Sequence, residues 1–169
     1  MGGLLAGLLH PLAGIDHLIA MLAVGLWGAQ RGGRAVWMLP VTFPLIMVVG
    51  GVMGIAGVWI PAPEVGVAMS MVVLGLAIFF EWKPAEYIML FPIAVFAIFH
   101  GWAHGAELPN EANPAAYAVG FVTATGSIHI AGVGLGLTFS RWLTRDCGAM
   151  IALAANLFSN QLGRNGNGY

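Results

Sequence analysis

Six apolar runs, each about as long as a bilayer is thick, occupy almost the whole chain and leave room for little else. A hydrocarbon core of about 30 Å needs about 20 apolar residues in a helix. By that ruler the spans fall near residues 3–29, 35–58, 63–82, 85–105, 115–139 and 146–162. The breaks coincide with Gly, Pro and charged clusters: Gln30 to Arg34, Ile60 to Glu64, Glu81 to Pro84, Glu107 to Pro114 and Arg141 to Asp146. In lipid every backbone group must be satisfied within the protein, which favours helices. The expected fold is therefore all-α, an integral membrane bundle of six transmembrane helices forming one domain over residues 1–162. A polar, disordered tail is expected at 163–169, where Gly and Asn dominate.

Composition narrows the function classes. The chain is 59% hydrophobic and 8% charged, against roughly 45–50% apolar content in soluble domains. A formal net charge of −1 gives no basic stripe for nucleic acid. Cys147 is the one cysteine, so an internal disulfide and a Cys-rich metal site are excluded, and it reads as a packing residue. Met1-Gly2-Gly3 lacks the basic region and cleavage site of a secretory signal, so the first apolar run is expected to be a true span. No Gly-rich phosphate-binding loop is present, which argues against ATP hydrolysis.

Orientation follows from the short loops. Arg31, Arg34, Lys83, Arg141 and Arg145 all lie in the first, third and fifth connections, whereas the opposite side has Arg164. The positive-inside rule then puts the odd loops in the cytoplasm and both termini outside. Pairs such as Gly50/Gly54, Gly101/Gly105 and Gly132/Gly136 form faces suited to close helix contact, and Pro40 and Pro44 are expected to kink the second span.

Against this apolar background the ionisable residues stand out, because a charge-capable group deep in a bilayer costs a few kcal/mol or more and marks function by default. The first span contains His10, Asp16 and His17. At about 100° per residue, the seven-residue separation puts both imidazoles on one helix face, with Asp16 rotated by about 100°. Pro11 removes a donor to the Gly7 carbonyl and Gly14 loosens the next turn, so this helix is expected to be kinked or broken there. The fourth span presents His100, His104 and Glu107 at i, i+4 and i+7, a metal-ligand spacing. Position 101 is Gly, so the His-Glu-x-x-His pattern of metalloproteases is absent. His129 adds an imidazole on the fifth span, with Thr125 one turn before it.

A straight-helix count at 1.5 Å per residue gives depth. Glu107 and then His104 lie nearest the outer face, His10 is level with His100 roughly 10 Å down, and His17 and His129 are roughly 21 Å down, near the midplane. A graded line of imidazoles and carboxylates suits Ni, Co, Cu or Zn, whereas Mg and Ca prefer all-oxygen sites. Glu64, Glu81, Glu86 and Glu111 read as interfacial carboxylates, and Met21 as filler.

The stretch His10-Pro11-Leu12-Ala13-Gly14-Ile15-Asp16-His17, followed by Met21 and Val24-Gly25, resembles the first-helix signature of the HupE/UreJ family. Phe99 to Glu107 resembles its Phe-His-Gly-x-Ala-His-Gly-x-Glu signature, with Trp102 at the first variable position. The similarity runs from about Gly3 to about Leu162. It implies a hydrogenase- or urease-associated permease of the bacterial inner membrane. Its transported ion would be Ni²⁺ or Co²⁺, and cytoplasmic nickel chaperones are implied as partners. The matching motif positions are His10, Asp16, His17, His100, His104 and Glu107.

Import of Ni²⁺ or Co²⁺, with Zn²⁺ and Cu²⁺ left open by the ligand chemistry, is therefore the expected function, and catalysis is not expected. The same ligands could instead hold a catalytic ion, with Glu107 as the only plausible base, or serve a metal-binding sensor. A bis-His haem carrier would pair histidines from different helices.

Overall fold

The computed structural model describes residues 3–108 and 113–166, and every regular element among them is helical. The order is α1 (Gly3–Ala13), α2 (Ile15–Arg31), α3 (Ala35–Ile55), α4 (Pro63–Phe79), α5 (Glu86–Ala106), α6 (Pro114–Thr138) and α7 (Arg141–Gly166). Elements α3 to α7 correspond in order to the expected second to sixth spans. The first span is divided at Gly14, where α1 and α2 meet at 84°.

Among the described residues three helices, α3, α5 and α6, are long and apolar enough to cross a membrane, and the bent α1–α2 pair makes a fourth if taken as one span. Helix α4, with 17 residues, is apolar but shorter. The surface has the inverted character of a membrane protein. Leu45, Phe91, Ile130 and Leu137 are exposed, whereas Ser70, His100, Thr125 and His129 are inaccessible. A water-soluble monomer would not leave such large apolar side chains around a polar interior.

Local sequence explains where the helices start. Pro63 and Pro114 sit at the first helical turn, where a missing N–H costs nothing, and the Asn113 side chain caps α6 by accepting from the Ala116 amide at 3.0 Å. The last helix continues to Gly166, past the tail boundary read at residue 163. No proline follows Pro114, and extending an established helix is far easier than nucleating one, so polarity alone does not end it. Residues 167–169 of that tail, and Glu111, lie outside the described residues.

Helix α2 is the hub, packing against α6, α4, α3, α7 and α1. The two most closely interlocked partners are α3 and α5. A β-carbon on Gly101 would land on the Met47 carbonyl, one on Gly105 on the Gly51 carbonyl, and one on Gly54 on the Trp102 carbonyl. The expected glycine faces are thus opposite sides of one backbone-to-backbone contact. Gly132 and Gly136 do the same for α6 against Leu22, Leu26 and Ala29 of α2. Cys147 packs half-buried against the core, as expected.

The odd-numbered loops converge at one end of the bundle. Arg31 donates to the Pro84 carbonyl at 2.9 Å, Arg141 pairs with Glu81 at 2.8 Å, and Arg34 faces Glu86 at 3.9 Å. Trp27 stacks on Trp82 at this same end and donates to its carbonyl at 2.9 Å.

Candidate metal site

The break at Gly14 decides how the histidines meet. Gly14 has extended backbone angles (φ −95°, ψ 110°), so no left-handed conformation demands glycine here. What it supplies is room: a β-carbon would lie 3.1 Å from Asp16 Oδ1 and 3.4 Å from His17 Cδ2. The angle is held from outside by α1 docking onto the first half of α6. Gly7 lies against the Tyr117 carbonyl there, and Gly120 against that of Leu4.

A straight helix would have carried His17 about 10 Å along the axis from His10. The bend instead brings His10 and His17 to either side of one ring. His104 lies 4.8 Å from the His10 ring and 4.2 Å from the His17 ring, centroid to centroid. His10 and His100, read from the sequence as level with each other, have different neighbours. His10 Nε2 faces Glu107 Oε2 at 3.3 Å, while His100 Nδ1 faces His17 Nδ1 at 3.2 Å. The depth count failed because rise accumulates along one axis only while that axis stays straight.

Ligating atoms of His10, His104 and Glu107 all lie within 4.8 Å of one another. His104 is 4% exposed, and neither of its ring nitrogens has a hydrogen-bond partner. Buried polar atoms are normally paired, so two orphaned nitrogens on one ring point to a ligand. Helix ends reinforce the site. His10 is in the last turn of α1, and His104 and Glu107 are at the end of α5, so two carbonyl-bearing C-termini converge where a cation would sit. Each contributes about 0.3–1 kcal/mol toward a positive charge. The N-terminus of α2 acts in the opposite sense, and Asp16 in its first turn supplies the compensating carboxylate. Asp16 is half-buried beside Gly14 and is not part of the three-ligand group.

His129 stands apart. The Phe43 ring lies between it and the cluster, 5.5 Å from His100 and 5.3 Å from His129. Its Nδ1 reaches the Pro40 carbonyl at 3.3 Å. The reason is legible in the spacing: that carbonyl would normally accept from residue 44, which is proline and has no N–H. A carbonyl can only accept, so His129 carries its proton on Nδ1 and presents Nε2 as a lone pair. That Nε2 is buried without a partner, as is Thr125 Oγ1 on the same helix.

Four further residues shape the site. Ser70 binds His100, Tyr117 and Phe121 stack on each other beside His10 and His104, and Phe43 divides the two groups. Each is a common residue in an apolar helix, with no spacing to set it apart in the sequence.

The family profile described as HupE / UreJ protein matches residues 1–158. The chain belongs to the HupE/UreJ family. A HupE/UreJ relative, Protein HupE of Rhizobium leguminosarum bv. viciae, is 42% identical over 156 residues, covering 90% of this chain and 82% of that protein. No solved structure matches. The two stretches quoted above for their resemblance to family signatures both reach the histidine cluster: the first carries His10 and His17 across the α1–α2 break, and the second carries His100, His104 and Glu107 at the end of α5.

Proposed function

We propose that this chain is a six-span permease of the bacterial inner membrane, both termini outside, that imports Ni²⁺ and in second place Co²⁺ for metalloenzyme maturation. The observation that carries the reading is the grouping of His10, His104 and Glu107 at the converging ends of α1 and α5. Glu107 is exposed and His10 partly so, which makes this the receiving end. Imidazoles replace water on a borderline ion, and the carboxylate offsets its charge where the dielectric falls.

From there the ion passes inward to His17 and His100. Two nitrogens bound at about 2.1 Å and about 100° apart sit about 3.2 Å from each other, and the paired Nδ1 atoms are 3.2 Å apart. Beyond Phe43, His129 is the next donor. Past it lie Val24, Trp27, Leu39, Ile78 and Ile93, a buried apolar plug toward the arginine-rich end. On this reading the end carrying Glu107 is the open, outer one and the apolar plug closes the cytoplasmic one. Zn²⁺ and Cu²⁺ compete for the same donors.

Replacing Asp16 and His17 together by alanine is expected to reduce nickel uptake in cells to background while the protein level holds. Undiminished uptake would contradict the proposal. A catalytic role for the same ion predicts instead a product formed by the purified, metal-loaded protein without transmembrane flux.

Acid is expected to weaken binding. An imidazolium has no lone pair, so the metal-binding form of each ring is the neutral one and protons compete with the ion for it. Equilibrium binding of Ni²⁺, followed from neutral pH into the acid range, should weaken toward the acid end. An affinity that rises toward the acid end would contradict imidazole ligands.

A further inference from the structure

Ser70 is fully buried on α4, in none of the motifs described above, yet it touches the metal cluster. Its Oγ lies 2.6 Å from the Val67 carbonyl oxygen and 3.0 Å from His100 Nε2. Two oxygens approach to that distance only with a proton between them. The carbonyl has none to give, so the serine proton lies on the bond to Val67. A hydroxyl has one proton, which leaves Ser70 Oγ able only to accept from His100.

We infer that Ser70 is a positioning residue: it holds His100 as the Nε2–H tautomer, so that His100 presents Nδ1, and not Nε2, to the transported ion. The relay runs from the Nε2–H of His100 to the Ser70 oxygen, and from the Ser70 hydroxyl to the Val67 carbonyl. It orients the ring and raises the basicity of the opposite nitrogen, as outer partners of ligating histidines do elsewhere. His100 Nδ1 then points at His17 Nδ1, 3.2 Å away. Without metal, His17 must donate across that gap from its own Nδ1–H. With metal between the rings, the His17 proton shifts to Nε2, and both Nδ1 lone pairs face the ion. His100 is 0% exposed, so water cannot substitute for Ser70 without a cavity to hold it.

The tautomer does not depend on the transport reading; only its consequence for nickel does. Histidine-selective ¹⁵N labelling of the full chain in lipid nanodiscs, metal-free at pH 8, reads the protonated nitrogen of His100 from long-range ¹⁵N–¹H correlations. The His100→Asn variant supplies the assignment. Wild type is expected to show Nε2–H for His100. Ser70→Ala should lose that exclusive state, and Ser70→Thr, which keeps the hydroxyl, should restore it. Nickel affinity should fall about 10–100-fold in Ser70→Ala and return in Ser70→Thr. Finding His100 protonated on Nδ1 in wild type overturns the inference even if Ser70→Ala does not fold. An unchanged tautomer in Ser70→Ala overturns it as well. A correct tautomer shift in a protein that binds no nickel leaves the Ser70 role standing and refutes the permease reading instead.

Discussion

Replacing His104 by leucine is expected to lower Ni²⁺ affinity by about 100-fold or more while leaving the metal-free protein equally stable or more stable. The two effects have one cause. His104 is the ring shared between His10 and His17, so its loss removes a donor from the outer group and the bridge to the inner pair. Losing an outer partner of a ligand already costs about 10–100-fold, and losing the ligand itself costs more. Stability moves the other way because both His104 nitrogens are buried without partners. An unsatisfied buried polar group costs about 1–3 kcal/mol, and leucine of similar volume brings no such penalty. Equilibrium nickel binding and thermal unfolding of the apo protein, measured on one preparation, check both halves. A variant that binds normally removes His104 from the site. A variant that binds nothing because it is unfolded shows that the ring is structural.

The second large effect belongs to the scaffold. Gly101→Leu is expected to prevent folding, because even the first added carbon would overlap the Met47 carbonyl and the Gly51 amide across the α3–α5 contact. Those are backbone atoms, which cannot rotate away, so the helices must separate along the face that carries His100 and His104. Overpacking a well-fitted core costs about 1–3 kcal/mol when side chains can adjust, and more when they cannot. Gly126→Ala is the matched control, since nothing lies within 4 Å of its missing β-carbon. Size-exclusion profiles and thermal midpoints in detergent should show Gly126→Ala at wild-type values and Gly101→Leu aggregated. A well-folded Gly101→Leu would contradict the close contact.

How much of this the sequence reveals depends on whether the cause is local. The helices follow from the length of apolar runs and from Pro63, Pro84 and Pro114, which are local signals. The break after Pro11 is also local, but its angle is not. The 84° bend is fixed by Gly7 and Gly120 docking α1 onto α6, across more than a hundred residues of chain. A straight-helix count therefore sets His10 level with His100, and only the bend shows that His10 faces Glu107. Pro40 and Pro44 read as a kink, and their consequence for His129 appears only when α3 and α6 come together. Ser70 is a single hydroxyl in an apolar helix, ordinary until His100 is beside it.

If the histidine cluster passes a divalent ion through the membrane, that ion must arrive inside a sealed vesicle. Ni²⁺ uptake into proteoliposomes, reported by a metal-sensitive dye trapped inside, measures that arrival. Wild type is expected to fill the vesicles faster than protein-free liposomes at pH 7.5, with His104→Leu reduced to the protein-free rate. Wild-type protein that binds nickel but admits it no faster than bare lipid would rule out transport through the cluster.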